Sequence, residues 1–407
     1  MARTLQLSIC SILLLCAARG AALPPLPHEA YIWQRQWTPA LMQSMRESRS
    51  TFAGFRVLAA ESDKRGRLRA IEPRLTDLPA REHVPIVAVI RLNGSDPPPD
   101  VAALRERVHT LAREWRAAGV ALSGIEIDHD CATARLADYA RLLQTLRDDW
   151  PDGVRLSITA LPAWIGASAL PDLLVQADES VLQVHAVRSP DAGLFDPAAA
   201  RRWIDMYATI STKPFRVSLP AYGVRVQFDE RGRARAVTAE MFRDADGGAS
   251  EARELRARPR DVAELLRSLA SAHPPQLVGV TWFRLPTEDD RRAWSLATLR
   301  AVIAAAELIE NLQVSLQNAA DGASDVMISN RGNLDAELAP VTVRADHCLA
   351  ADGAGGYHAV PEAIGWRFDP PPDVVLRAGR ARRVGWLRCG SVENADIVEK
   401  VVVDEAP

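Results

Sequence analysis

Glu126, Asp128 and Asp130 occupy alternate positions in the stretch Ser123-Gly124-Ile125-Glu126-Ile127-Asp128-His129-Asp130. In an extended chain successive side chains leave opposite faces, so the three carboxylates share one face and Ile125 and Ile127 the other. Like charges at that spacing repel, and burying them is costly unless they share protons or meet cations. Folding has no use for such a column. Acid–base catalysis does, because it needs one carboxyl held protonated beside another held ionised, and crowded acids push each other's pKa values apart in that way. Cleavage of a glycosidic bond is a reaction that uses such a pair. Asp130, last along the strand, is the candidate general acid. Asp128, deeper, is the candidate stabiliser or nucleophile, and Glu126 completes the column. A metal site built from Asp128, Asp130 and His185 has no supporting motif, since neither His-x-His nor His-Glu-x-x-His occurs. We expect neither metal nor cofactor.

Something must hold that strand and gather further side chains at its end. Eight segments rich in β-branched or aromatic residues recur along the chain: Tyr31–Trp37, Phe55–Glu61, Val84–Leu92, Gly124–Asp130, Arg155–Leu161, Val181–Val187, Phe215–Tyr222 and Val278–Arg284. Helical periodicity fills the stretches between them. Leu104, Val108, Leu111 and Trp115 fall on one face of 101–118, and Tyr139, Leu143 and Leu146 on one face of 136–150. Pro39, Pro197 and Pro259 stand where first helical turns begin. The alternation predicts a (β/α)8 TIM-type barrel over 23–308, with a doubly wound open sheet as the competing arrangement.

Polar and aromatic side chains collect at the C-terminal ends of those strands, and in a barrel these ends converge on one mouth. Trp282, Tyr222 and Trp164 are the candidate sugar platforms, and Trp33 is a further candidate for substrate binding. His185 and Arg284 are candidates to tune the acids or to bind substrate. Gln183, Glu61 and Arg91 complete the expected lining.

A charged insertion, about 224–258, follows the seventh strand. Val224–Phe228 and Ala234–Val237 read as a hairpin turning at Asp229-Glu230-Arg231-Gly232. Asp244-Ala245-Asp246-Gly247-Gly248 reads as a turn, without the further ligands a calcium loop needs. From Asn311 the helical periodicity stops. Short alternating segments at Leu312–Leu316, Asp325–Ser329, Pro340–Ala345, Ala363–Phe368 and Val374–Trp386 predict a small all-β, sandwich-like module over 309–407.

Of the 407 residues, 48% are apolar and 25% charged, which is the composition of a globular protein. A formal net charge of -3 gives no footing for nucleic acid as a partner. Arg3, the apolar run from Leu5 to Ala18 and the small residues to Ala22 read as an export signal over 1–22, too short for a stable membrane span. The expected product is periplasmic or secreted, in preference to a form lipid-anchored at Cys16, because Leu15 before it is bulkier than lipoprotein signals usually tolerate. Of five cysteines, Cys10 and Cys16 lie in that signal, Cys348 and Cys389 are free to pair in an oxidising compartment, and Cys131 reads as a small buried apolar group.

The barrel resembles a bacterial family, the domain of unknown function 3142. The likeness runs through Tyr31-Ile32-Trp33-Gln34-Arg35-Gln36-Trp37, Gly124 to Cys131, Leu156-Ser157-Ile158-Thr159-Ala160-Leu161-Pro162-Ala163-Trp164 and Trp282-Phe283-Arg284-Leu285-Pro286. That family carries no established activity. More distantly, Gly124 to Asp130 is similar to the strand-four signature of family 18 glycosidases (chitinases), Asp-Gly-x-Asp-x-Asp-x-Glu. Leu219-Pro220-Ala221-Tyr222-Gly223 resembles that family's strand-seven Pro-x-Tyr-Gly. The resemblance implies Asp130 as general acid, Asp128 as the carboxylate that orients an acetamido group, Glu126 as its proton-sharing neighbour, and Trp282 as the floor of a sugar subsite. The sequence departs from the chitinases in having Asp at the acid position, Ala88-Val89-Ile90-Arg91-Leu92 in place of Ser-x-Gly-Gly, and Gln183-Val184-His185 in place of Met-x-Tyr. Two functions are therefore expected in competition: an exported glycosidase acting on a polysaccharide or glycan, and a barrel that binds carbohydrate without cleaving it.

Overall fold

The computed structural model describes residues 24–63, 65–78, 84–93, 100–185, 193–229, 234–238, 252–319, 322–372 and 374–397. Eight parallel strands form the first architectural unit: β1 (His28–Ile32), β2 (Gly54–Ser62), β3 (Ile86–Leu92), β4 (Leu122–His129), β5 (Arg155–Ala160), β6 (Glu179–Gln183), β7 (Phe215–Pro220) and β8 (Leu277–Phe283). Each pairs with the next, and β1 pairs with both β2 and β8, so the sheet closes on itself. Closure excludes the open doubly wound sheet. The strands are buried on both faces, as expected where helices cover the outside of a parallel sheet.

Helices α1 (Pro39–Ser48), α2 (Val101–Ala117), α3 (Leu136–Arg147), α4 (Leu170–Leu174), α5 (Pro197–Ile210), α6 (Pro259–Ser271) and α7 (Leu296–Ile303) form the outer layer. Local chemistry starts several of them. Thr38 and Asp196 accept hydrogen bonds from the amides of Leu41 and Ala199, with Pro39 and Pro197 in the first turn, where a missing N–H costs nothing. Among the described residues no α-helix lies between β2 and β3. That crossover carries the short strand Leu68–Ala70, antiparallel to β2, and a 3-10 turn at Leu75–Asp77. No helix among the described residues is long and apolar enough to cross a membrane.

Gly223–Phe228 after β7 pairs antiparallel with Ala234–Thr238, as the expected hairpin requires, and also with Ala252–Arg256. The third strand was not legible because Ala-Arg-Glu-Leu-Arg offers little apolar alternation. Glu230 to Gly232 and the Asp244–Gly248 run lie outside the described residues.

The C-terminal part is all antiparallel β. Leu312–Asn318, Ser324–Asn330, Ala381–Arg388 and Ala350–Gly353 make one four-stranded sheet. His358–Glu362, Gly365–Asp369, Val341–Asp346 and Ser391–Ile397 make another, and a two-stranded pairing joins Ala336–Glu337 to Val375–Leu376. Val326, Ile328, Val341, Val343, Phe368 and Val384 from both larger sheets share one apolar core. The expected single strand Val374–Trp386 is two strands, broken at Gly379, whose φ of 74° suits glycine. Cys348 and Cys389 are disulfide-bonded.

Candidate functional site

Alternation along the strands sends one set of side chains into the barrel, and these stack in layers. The lower layer is ionic. Arg56 on β2 is fully buried and donates to Glu29 through Nε at 2.8 Å, to Glu126 and Ser157 through Nη1, and to Glu179 through Nη2. Arg216 on β7 bridges the free sides of Glu29 and Glu179 at 3.2 and 3.1 Å. Gly279 on β8 makes room for it, because a Cβ there would collide with Arg216 Nη1. Tyr31 donates to Glu126 Oε1 at 2.7 Å and Ser157 to Oε2 at 3.1 Å. Every partner of Glu126 is a donor. Burial pushes its carboxyl up, while Arg56, Tyr31 and Ser157 draw it back towards ionisation.

This corrects the expected column of three working acids. Glu126 is 0% exposed and belongs to the ion layer, so it has no free oxygen for proton sharing with Asp128. The tight Arg56 contact could not be read from sequence, since Arg56 lies 70 residues away on a different strand.

Above that layer the two remaining acids part company. Asp128 is buried and accepts a hydrogen bond from Thr159 Oγ1 at 2.7 Å. Asp130, one residue past the end of β4, opens 37% of its side chain to solvent, yet its Oδ1 is buried and has no partner among the described residues. Burial first, then the charge of Asp128, pushes the Asp130 carboxyl up to about 7, against the pull of Arg91. The guanidinium of Arg91 on β3 lies 4.0 Å from an oxygen of each acid. It also sits over the ring of Trp33, 5.4 Å from the centroid.

Aromatic rings surround the acids. Phe283, the last residue of β8, is the hub, with ring centroids of Trp33, Tyr222, Tyr31 and His185 at 5.0, 5.2, 5.8 and 6.0 Å. Tyr222 Oη lies 3.4 Å from His185 Nδ1. Burial lowers the His185 imidazole to about 4, so it is neutral at pH 7, and its Nε2 is buried without a partner. Burial raises the Tyr222 phenol to about 12, and Arg284, Arg91 and Asp130 all act on it, which places those charges around one mouth.

Other expected members fall elsewhere. Trp282 does not floor this mouth. It alternates with Thr281 and Phe283, so it faces the helical layer, where its Nε1 donates to His28 Nδ1 at 3.0 Å and its ring tilts against Trp294. Trp164 is likewise 1% exposed, donating to the carbonyl of Cys131 and packing edge-on to Tyr139. Glu61 is held by Arg35, with Nη2 to Oε2 at 2.6 Å. Arg284 is paired with Asp290, whose other oxygen accepts from the amides of Arg292 and Ala293. The C-terminal part reaches this loop too, since Arg377 donates to the carbonyls of Thr287 and Asp290. Gln183 is half-buried at the end of β6. Phe283 and Arg56 are the residues the sequence reading missed. Phe283 carried no local signal, because adjacent aromatics at 282 and 283 leave opposite strand faces and the chain does not mark which face is inward. Cys131 is buried with its thiol pushed up to about 11, which suits a packing group rather than a nucleophile. Among the described residues no cluster of His, Cys, Asp and Glu is arranged to hold a metal ion.

The architecture is therefore a closed α/β barrel with a carboxylate pair and an aromatic ring at its C-terminal mouth, followed by antiparallel β-sheets. The chain belongs to the family described as domain of unknown function (DUF3142), whose model matches residues 82–288, just over half of its length. Residues 313–390 match a second model, domain of unknown function (DUF8456). No curated protein matches the chain in sequence. Solved structures with a similar trace include a chitinase from Chromobacterium violaceum, at 16% identity and a TM-score of 0.47 over 69% of this chain and 98% of that one. The spore cortex-lytic enzyme SleL of Bacillus cereus is similar at 12% identity and TM-score 0.48, covering 69% and 74% of the two chains. A chitinase from Bacteroides thetaiotaomicron is similar at 12% identity and TM-score 0.47, covering 69% and 96%. Likeness at this level assigns no activity.

Proposed function

We propose that the barrel mouth is a glycosidase site in which Asp130 is the general acid and Asp128 the stabiliser or nucleophile. The observation that carries this reading is the asymmetry of the pair. Asp128 is buried with the Thr159 hydroxyl donating to one oxygen, while Asp130 is crowded, short of donors and pushed up to about 7. Asp130 thus still carries a proton in a large fraction of molecules near neutral pH, as a general acid must. Trp33, Tyr222 and Phe283 supply ring faces for a sugar, and His185 and Gln183 supply hydrogen-bonding groups beside them. The polysaccharide or glycan acted on is carbohydrate in class, with no requirement for metal or cofactor.

Export to the periplasm or beyond fits the same proposal, because the Cys348–Cys389 disulfide persists in an oxidising compartment. Asp130→Asn tests the chemistry directly. Against a panel of polysaccharides, the wild-type protein should release reducing ends and the variant should lose that release by 100-fold or more, on the order general acid catalysis supplies. Equal release by both proteins removes Asp130 from the mechanism. A second reading, sugar binding without cleavage, is favoured by the Asp at the acid position, whose stem is one methylene shorter than that of Glu. Glycan binding by wild type and Asp130→Asn alike, with turnover by neither, would establish it.

A further inference from the structure

The mouth holds one cation whose position the proposed chemistry does not explain. Arg91 Nη1 lies 4.0 Å from Asp128 Oδ2 and its Nη2 lies 4.0 Å from Asp130 Oδ2, so the end of a single guanidinium straddles both acids. Both separations exceed hydrogen-bond length, and the interaction is therefore one of charge without ligation. The sheet itself puts Arg91 there, because the register sets Arg91 on β3 directly beside Asp128 on β4. Trp33 seats the guanidinium from one side, and Trp33 is in turn wedged between Tyr31 and Phe283. Glu61 is also in register with Arg91, on β2, and would compete for it. Arg35 occupies that carboxylate instead through Nε and Nη2, leaving Arg91 to the acids.

We infer that Arg91 is a positioning residue: it is the counter-charge that Asp128 and Asp130 share, and it sets how tightly the pair holds its single proton, rather than gripping substrate. The inference rests on the reading of these two acids as a working pair. The groups facing them are Glu126 with Tyr31 from the layer below, Thr159 from β5, Tyr222 after β7, His185 after β6, Arg284 with Asp290 after β8, and the Glu61–Arg35 pair beside β2; Glu126 has Arg56 as its own counter-charge. His185 is neutral, and Arg284 and Arg35 each have an acid of their own. Only Arg91 is placed within 4.0 Å of both Asp128 and Asp130 among the described residues. Withdrawing it leaves the second ionisation of the pair opposed by Asp128 with no nearby compensation, so Asp130 must hold its proton to higher pH.

The test is a carbon-13 NMR titration of side-chain carboxyls in the full chain without any ligand, with Asp130→Asn assigning the Asp130 signal. Arg91→Gln should move the Asp130 midpoint up by about one pH unit, a tenfold gain in proton affinity. Arg91→Met, which keeps an apolar stem against Trp33, should do the same, and Arg91→Lys should return the midpoint most of the way to wild type. A midpoint unmoved in both neutral variants, or moved equally by Lys, overturns the inference. Should Arg91→Gln fail to fold, Arg91→Met decides alone by the same criterion. The titration needs no turnover. Absence of glycan cleavage with a shifted midpoint would sink the glycosidase reading and leave this one standing, and cleavage with an unmoved midpoint would do the reverse.

Discussion

Replacing Arg56 by Met exposes what the ion layer contributes. Arg56 is wholly buried and its three nitrogens serve three carboxylates, Glu29, Glu126 and Glu179, together with the Ser157 hydroxyl. Methionine fills much of the stem's volume and none of the charge. Arg216 still reaches Glu29 and Glu179, but Glu126 keeps only the Tyr31 and Ser157 hydroxyls. Removing one partner of a buried ion pair costs about 3–5 kcal/mol, and with Glu126 left without a cation and Glu29 and Glu179 reduced to sharing Arg216 the upper end applies, about 5 kcal/mol. For a barrel of this size that corresponds to a fall in Tm of roughly 5–10 °C. The dependence on pH is the more telling part. In the variant these carboxylates have folded-state pKa values raised above their unfolded ones, so the folded state binds more protons and loses stability as pH rises. The gap in Tm from wild type should therefore be small at pH 5 and widen towards pH 8, which differential scanning calorimetry at three pH values would measure. A gap that is the same at all three, or absent, refutes the view that Arg56 acts as counter-charge to buried acids. Glu126→Gln separates structure from chemistry in the same layer. It should shift Tm less than Arg56→Met and leave any glycan turnover within about threefold, whereas a loss as deep as that of Asp130→Asn would return Glu126 to the catalytic set.

Three further outcomes follow from the same geometry. Because Asp130 must be protonated to act and its carboxyl sits at about 7, turnover should fall along a single alkaline limb near that pH, and a rate constant up to pH 9 would exclude it as the acid. Phe283→Ala should weaken glycan binding measured by calorimetry, with a smaller fall in Tm than loss of the fully buried Trp282 produces. Trp282→Ala should do the opposite, losing about 3–5 kcal/mol of stability from a fully buried indole; the reverse pattern would place the wrong ring at the mouth. Cys348→Ser combined with Cys389→Ser opens a disulfide closing 41 residues, and on loop-closure entropy should cost the C-terminal sheets about 4 kcal/mol while leaving glycan turnover in place, as denaturant melts and activity assays would show.

Sequence by itself determined the alternation of strands and helices, because the rules it obeys are local, while closure of the sheet, by β1 pairing with both β2 and β8, was decided in the tertiary structure. The strands and the helices begun by Pro39, Pro197 and Pro259 are specified by side-chain period and by residues that cap or start a turn, interactions spanning only a few positions, although the first strand, expected at Tyr31–Trp37, lies at His28–Ile32. It also determined that Asp128 and Asp130 rise on one strand face towards a common mouth. Only tertiary structure decided which of those acids is at liberty to react, since the cations that settle the matter come from other strands: Arg56 and Arg216 below, Arg91 beside. The aromatic ring was likewise undecided, because the sequence shows Trp282 and Phe283 side by side and closure of the barrel alone sets which of the two faces inward. Strand parity is a matter of neighbours along the chain, but charge compensation and inside-versus-outside are matters of what lies across the sheet, and no spacing within β4 or β8 encodes them.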